Sequence, residues 1–179
     1  MTEVGSVYGE ALYDLALSEG LSAPILKELD VLRQSFDAEP GFLKLLGTPA
    51  LTKQERCQIL DDSFRGKLHP YVLNFLKILT EKGYMRHFSD CCAAYRDHYN
   101  RANGILPVTA VTAIPLTDEQ QKRLAEKLRA ITGKTIELNS RIDSQVLGGV
   151  RLDFNGMRLD DTVAHRLEAV RSTLKNTVL

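Results

Sequence analysis

Apolar residues recur through the first part of the chain at the three- and four-residue spacing of buried helix faces. A first helix is expected from about Thr2 to Ser18, with Val4, Tyr8, Ala11, Leu12 and Leu15 on one stripe, widened by Val7, Ala16 and Leu17. Gly20 ends it. Ser22 and Pro24 open a second helix whose buried row is Ile25, Leu29, Leu32 and Phe36. A short third turns around Phe42 to Leu46 and stops at Gly47. Thr52 with Glu55 forms a capping box that starts a fourth, through Cys57, Leu60 and Phe64 to Gly66. Pro70 begins a fifth, apolar at Val72, Leu73, Phe75, Leu76, Ile78 and Leu79, which ends at Gly83. A sixth carries Phe88, Cys91, Cys92, Tyr95 and Tyr99 before Asn103-Gly104. Six helices on short connections describe a helical bundle.

The pattern changes after Gly104. Ile105 to Ala113 is β-branched and alternating, with Leu106, Val108 and Ala110 on one face. Thr117 and Gln120 make a second capping box, opening a helix with Leu124, Leu128 and Ile131 that Gly133 closes. A strand with Ile136 and Leu138 follows. Then Val150, Leu152 and Phe154 alternate with Arg151 and Asp153, and Asn155-Gly156 is the preferred pair of a two-residue hairpin turn. Asp160 to Thr162 offers a helix start, Asp160 as N-cap, with Val163, Leu167, Val170 and Leu174 continuing at helical spacing. The expected class is α+β: a six-helix bundle over residues 1–104, then a small α+β domain over residues 105–179.

Charge is balanced, with 23 basic and 23 acidic residues. The two halves differ by only a few charges, so no field is present to gather nucleic acid. Three cysteines, Cys57 and the pair Cys91-Cys92, form no Cys-x-x-Cys and no disulfide framework. They read as reduced, mostly buried small hydrophobes. No signal-peptide pattern opens the chain, and no apolar run approaches the roughly 20 residues of a membrane span.

Candidate chemistry is sparse. Gly148-Gly149 precedes a strand rather than joining a strand to a helix, and no Gly-Lys-Ser/Thr exists in the chain, so nucleotide binding is not expected. His87 and His98 lie about three turns apart on the expected sixth helix, and His165 with Glu168 makes only two ligands, so no metal site is expected. A thiolate–imidazole pair from Cys91 or Cys92 with His87 or His98 is opposed by the apolar stripe on which Cys91 falls. Asp61-Asp62 and Asp160-Asp161 are neighbours that diverge on a helix or cap one. No catalytic constellation assembles, and no cofactor is called for. The broad apolar faces of the first and fifth helices exceed what a small bundle buries: either they are its central helices or they leave a groove for a partner helix.

Three stretches resemble the delta subunit of F-type ATP synthase, the oligomycin-sensitivity-conferring protein family. Tyr8-Gly9-Glu10-Ala11-Leu12-Tyr13-Asp14-Leu15-Ala16 is similar to the family's Tyr-Ala-x-Ala-Leu-x-x-Leu-Ala pattern. Asn74-Phe75-Leu76 with Leu79, Lys82 and Gly83 resembles its fifth helix. Asp143, Gly148, Gly149 and Val150, with Asp160, Thr162, Val163 and Leu167, resemble its C-terminal signature. Departures are Gly9, where alanine is usual and where glycine is expected to weaken the helix slightly, Thr162 for serine, and Tyr84 where arginine is common.

The resemblance implies a non-catalytic stator subunit that links the catalytic head to the peripheral stalk and so couples ion-driven rotation to ATP synthesis. It implies a groove between the first and fifth helices for the N-terminal helix of an alpha subunit, lined by Tyr8, Ala11, Leu12, Leu15, Leu76 and Leu79. The C-terminal domain is expected to meet b-type stalk subunits. Attachment would be peripheral, through partners, on the cytoplasmic side of a bacterial inner membrane or the stromal side of a thylakoid. The near-neutral charge favours the bacterial or plastid type. A free-standing helical adaptor or a cysteine-dependent enzyme remains as the alternative.

Overall fold

The structure is a computed structural model that describes residues 2–48, 51–144, 146, 148–154 and 156–160. It is an α+β protein, with seven α-helices, a one-turn 3-10 helix and a four-stranded sheet among these residues. The chain divides into two compact units, one running through Tyr99 and the other from Asn100. The break falls in the last turn of α6, a little ahead of Gly104.

The first unit holds α1 (Glu3–Ser18), α2 (Ser22–Ala38), α3 (Pro40–Gly47), α4 (Lys53–Phe64), α5 (Pro70–Lys82), the 3-10 turn Met85–His87 and most of α6 (Phe88–Ala102). His87 therefore precedes the sixth helix instead of lying on it with His98. The tight turn after Gly83 has to close before the helix can begin. The α2 row of Ile25, Leu29, Leu32 and Phe36 is buried as its spacing requires, and the Thr52–Glu55 capping box is formed in both directions. One core gathers these residues with Leu60, Val72, Leu76, Leu79, Phe88 and Tyr95. Phe36 meets Phe42, Phe64 and Phe88 with ring centroids 5.6, 6.3 and 5.1 Å away, which ties α2, α3, α4 and α6 together.

α1 packs differently from its hydropathy. Its buried residues are Gly5, Gly9, Leu12, Tyr13 and Ala16. A Cβ placed on Gly9 would lie 2.5 Å from the Cys91 carbonyl oxygen and 2.7 Å from the Ala94 Cβ. One placed on Gly5 would lie 2.4 Å from the Asp90 Cβ. The two glycines, one turn apart, let α1 approach the backbone of α6. Gly9 is thus required by packing, and the expected weakening of the helix is outweighed. Thr2 caps α1 and fastens it to α6: its backbone N–H and hydroxyl both donate to Asp90 Oδ2, at 3.0 and 2.7 Å.

In the second unit, β1 (Ile105–Thr112), α7 (Asp118–Thr132), β2 (Thr135–Ile142), β3 (Val150–Phe154) and β4 (Met157–Asp160) form a sheet ordered β2-β1-β3-β4. β1 and β2 are parallel, joined by the α7 crossover, and β3 and β4 add antiparallel. The register puts Ala110 opposite Leu152 and Leu152 opposite Leu159, so the apolar face continues from Leu106 and Val108 across three strands. Thr117 and Gln120 cap α7 as expected, and Gly133 ends it. Asp160 closes β4, opposite Arg151. The helix expected after it, with Thr162, Val163, Leu167, His165 and Glu168, lies outside the described residues.

Candidate partner-helix site

α1 sends its residues to two sides. Leu12 is buried in the core while Ala11 beside it is exposed, Leu15 is 41% exposed and Tyr8 is half-buried. Tyr8, Ala11 and Leu15 are spaced three and four apart and share one face. Val7, also exposed, widens that face. At its far edge the Tyr8 ring meets Tyr84 edge-on, with centroids 5.8 Å apart. Tyr84 directly follows Gly83, the C-cap of α5, so the departure from the usual arginine supplies an aromatic wall between α1 and the end of α5.

The family resemblance implies six residues in the groove, and their burial differs in the structure. Leu12, Leu76 and Leu79 belong to the core, the last two with 0% exposure, and they present no surface to a partner. For Leu12 the reason is the glycine face of α1: Gly5 and Gly9 pack against α6, and Leu12 is buried with them, while Tyr8, Ala11 and Leu15 are left outside. On α5, Ile78 is the large apolar residue that reaches the surface, and the sequence reading did not single it out.

The C-terminal signature residues form a different kind of site. Gly148 and Gly149 have φ of +78° and +85°, a region open to glycine and costly for other residues. They deliver the chain into Val150, opposite Thr112 of β1. Arg151 points between two carboxylates, 3.9 Å from Asp143 and 3.7 Å from Asp153, and Arg158 donates to Asp153 at 3.0 Å. The Arg151 Nε lies within ion-pair range of Asp153 but makes no hydrogen bond. These contacts cover the polar face of β3, so the strand is half-buried at every position instead of alternating. Asp143 and Gly149 thus serve the sheet's architecture.

The thiols are held protonated. Burial pushes Cys91 up to about 11 and, with Cys91 beside it, Cys92 up to about 12. Cys57 borders an open pocket of about 680 Å³ with Asp61, Glu81 and Lys82. Its thiol is also raised, first by burial and then by the Glu81 carboxylate, toward which it donates at 3.8 Å. Among the described residues no group of three or more His, Cys, Asp and Glu could hold a metal. No helix of these residues is long and apolar enough to cross a membrane.

The first unit is helical and carries an apolar stripe on the outside of its first helix, and the second is a compact α+β unit. The model of the ATP synthase delta (OSCP) subunit family matches residues 4–174. The chain is 31% identical over 172 residues to ATP synthase subunit delta of Enterococcus hirae, covering 96% of this chain and 95% of that protein. It is 28% identical over 176 residues to the subunit delta of Alkaliphilus oremlandii, covering 98% of each. Among solved structures it superposes on a chain of the Toxoplasma gondii mitochondrial ATP synthase hexamer with a TM-score of 0.76, over 97% of this chain and 98% of that one, at 20% identity, which shows a shared fold.

The chain belongs to the ATP synthase delta (OSCP) subunit family. It is a non-catalytic stator component of F-type ATP synthase. The free-standing adaptor and the cysteine-dependent enzyme find no support.

Proposed function

We propose that the first unit receives the N-terminal helix of an alpha subunit on the Tyr8, Ala11 and Leu15 face of α1, and that the second unit meets the b-type peripheral stalk. The observation behind this is the outward apolar stripe of α1, bounded by Tyr84. In a stator the head must not turn with the central shaft. A helix laid along an apolar face resists this, because the area it removes from water makes its dissociation slow. Small Ala11 allows close approach, and Tyr8 and Leu15 flank it. The division of labour follows the six helices of the first unit and the sheet of the second. The complex would be held at the membrane through these partners, on the cytoplasmic side in a bacterium or the stromal side in a plastid.

Titration of the full chain with a peptide of the alpha subunit's first residues, and separately with the C-terminal part of a b-type subunit, tests both halves. Two saturable events that do not compete are expected. Failure of either peptide to bind removes that half of the proposal, and competition between them removes the assignment of one partner to each unit.

A further inference from the structure

The outward face of α1 has one charged edge. Glu3, Glu10 and Asp14 follow each other at seven and four residues, and all three are exposed. By the 3.6-residue repeat they lie roughly 60–100° round the helix from Ala11, along the side of the stripe away from Tyr8. α1 contains no Lys, Arg or His. None of the three carboxylates is in an ion pair among the described residues. The opposite edge is aromatic, where Tyr8 meets Tyr84. A stripe with acids along one border and tyrosines along the other is complementary to only one way of laying down a helix.

We propose that this site selects an amphipathic helix whose apolar row is bordered on one side by Lys or Arg, and that the acidic row of Glu3, Glu10 and Asp14 fixes which way round that helix lies. This rests on the reading of the stripe as the alpha-subunit site and adds the chemistry of the occupant. The apolar contacts supply most of the affinity but are nearly blind to direction, whereas rim charges set orientation and suppress wrong partners. Exposed pairs are individually weak, so the charges bias a docking that the stripe makes possible.

The test uses the full chain and the N-terminal peptide of the alpha subunit in three versions, with the residues bordering its apolar row made all Lys, all Gln or all Glu. The Lys version is expected to bind about three- to tenfold more tightly than the Gln version at 0.1 M salt, and the Glu version more weakly than either. The preference should fade at 1 M salt, where the screening length falls to about 3 Å. It should shrink in a Glu10→Gln/Asp14→Gln variant, vanish when Glu3→Gln is added, and reverse in Glu10→Lys/Asp14→Lys. If all three versions bind alike and all are lost on Ala11→Leu, the stripe is the docking site and the charge proposal is wrong. If a preference exists but is untouched by the Glu10 and Asp14 changes, another edge sets it and the proposal is equally wrong. If no version binds, or binding ignores Ala11→Leu, the reading of the stripe falls and this inference with it.

Discussion

Gly9 of α1 sits against the backbone of Cys91 so closely that a Cβ there would come within 2.5 Å of the carbonyl oxygen. The atom in the way is main chain, and it cannot swing aside as the end of a side chain could. Two effects of Gly9→Ala oppose each other. Helix propensity favours alanine by about 1 kcal/mol, and forcing α1 away from α6 costs roughly 1–3 kcal/mol. The packing loss should win. Gly9→Ala is expected to lower the denaturation midpoint by urea, whereas a propensity-dominated helix would gain.

The link from Thr2 to Asp90 makes the same helix pair sensitive to acid. Hydrogen bonds from the Thr2 hydroxyl and backbone N–H hold the Asp90 carboxyl below its usual value. A group whose folded pKa is depressed stabilises above its unfolded pKa, and loses that contribution as pH falls through the folded one. Asp90→Asn should therefore be less stable than the parent at pH 7. The gap should begin to close below about pH 4 and disappear in stronger acid. Urea midpoints across this range check it, and a gap that widens in acid would contradict it.

The three thiols should behave as small core residues. At pH 8 a thiol with a pKa of about 11 is ionised in only about one molecule per thousand. Cys91 and Cys92 are expected to resist a thiol-specific disulfide reagent until the chain is unfolded, while partly exposed Cys57 reacts first and slowly. Replacing all three with alanine should cost stability through cavities, and leave binding of the alpha-subunit peptide intact. Rapid labelling of Cys91 or Cys92 in the folded protein would overturn this.

Local signals were the most legible. Thr52 with Glu55 and Thr117 with Gln120 need only their own turn, so three-residue spacing was enough to find both capping boxes. The α2 row was legible because its large apolar residues all face the same core. On α1 the same reasoning misassigned faces. Gly5 and Gly9 carry almost no hydropathy, yet they are what α6 packs against, and close approach of two backbones leaves no periodic apolar mark. Leu12 therefore looked available and is core; Leu76 and Leu79, which the family resemblance put in the groove, are core as well. The half-burial of β3 was hidden for a related reason: Arg151 and Asp153 read as solvated positions, and their ion pairs to Asp143 and Arg158 close over them.

Gly149 can be tested apart from any partner. At φ +85° an added Cβ strains the backbone, and Gly149→Ala is expected to destabilise the chain by about 1–3 kcal/mol. Binding of the alpha-subunit peptide should survive while the protein stays folded, because the change lies in the second unit. Loss of that peptide's binding by a folded Gly149→Ala variant would contradict the division of roles.

The central claim is that the outer face of α1 takes a partner helix, and Ala11→Leu tests it most directly. Because Ala11 is exposed, the larger side chain does not enter the core, and circular dichroism and the melting midpoint should stay near those of the parent. The alpha-subunit peptide should lose roughly 1–3 kcal/mol of binding free energy, about five- to 150-fold in affinity, because the leucine fills the space the helix needs. Ala11→Ser should change little. A folded Ala11→Leu chain that binds the peptide as tightly as the parent would contradict the account.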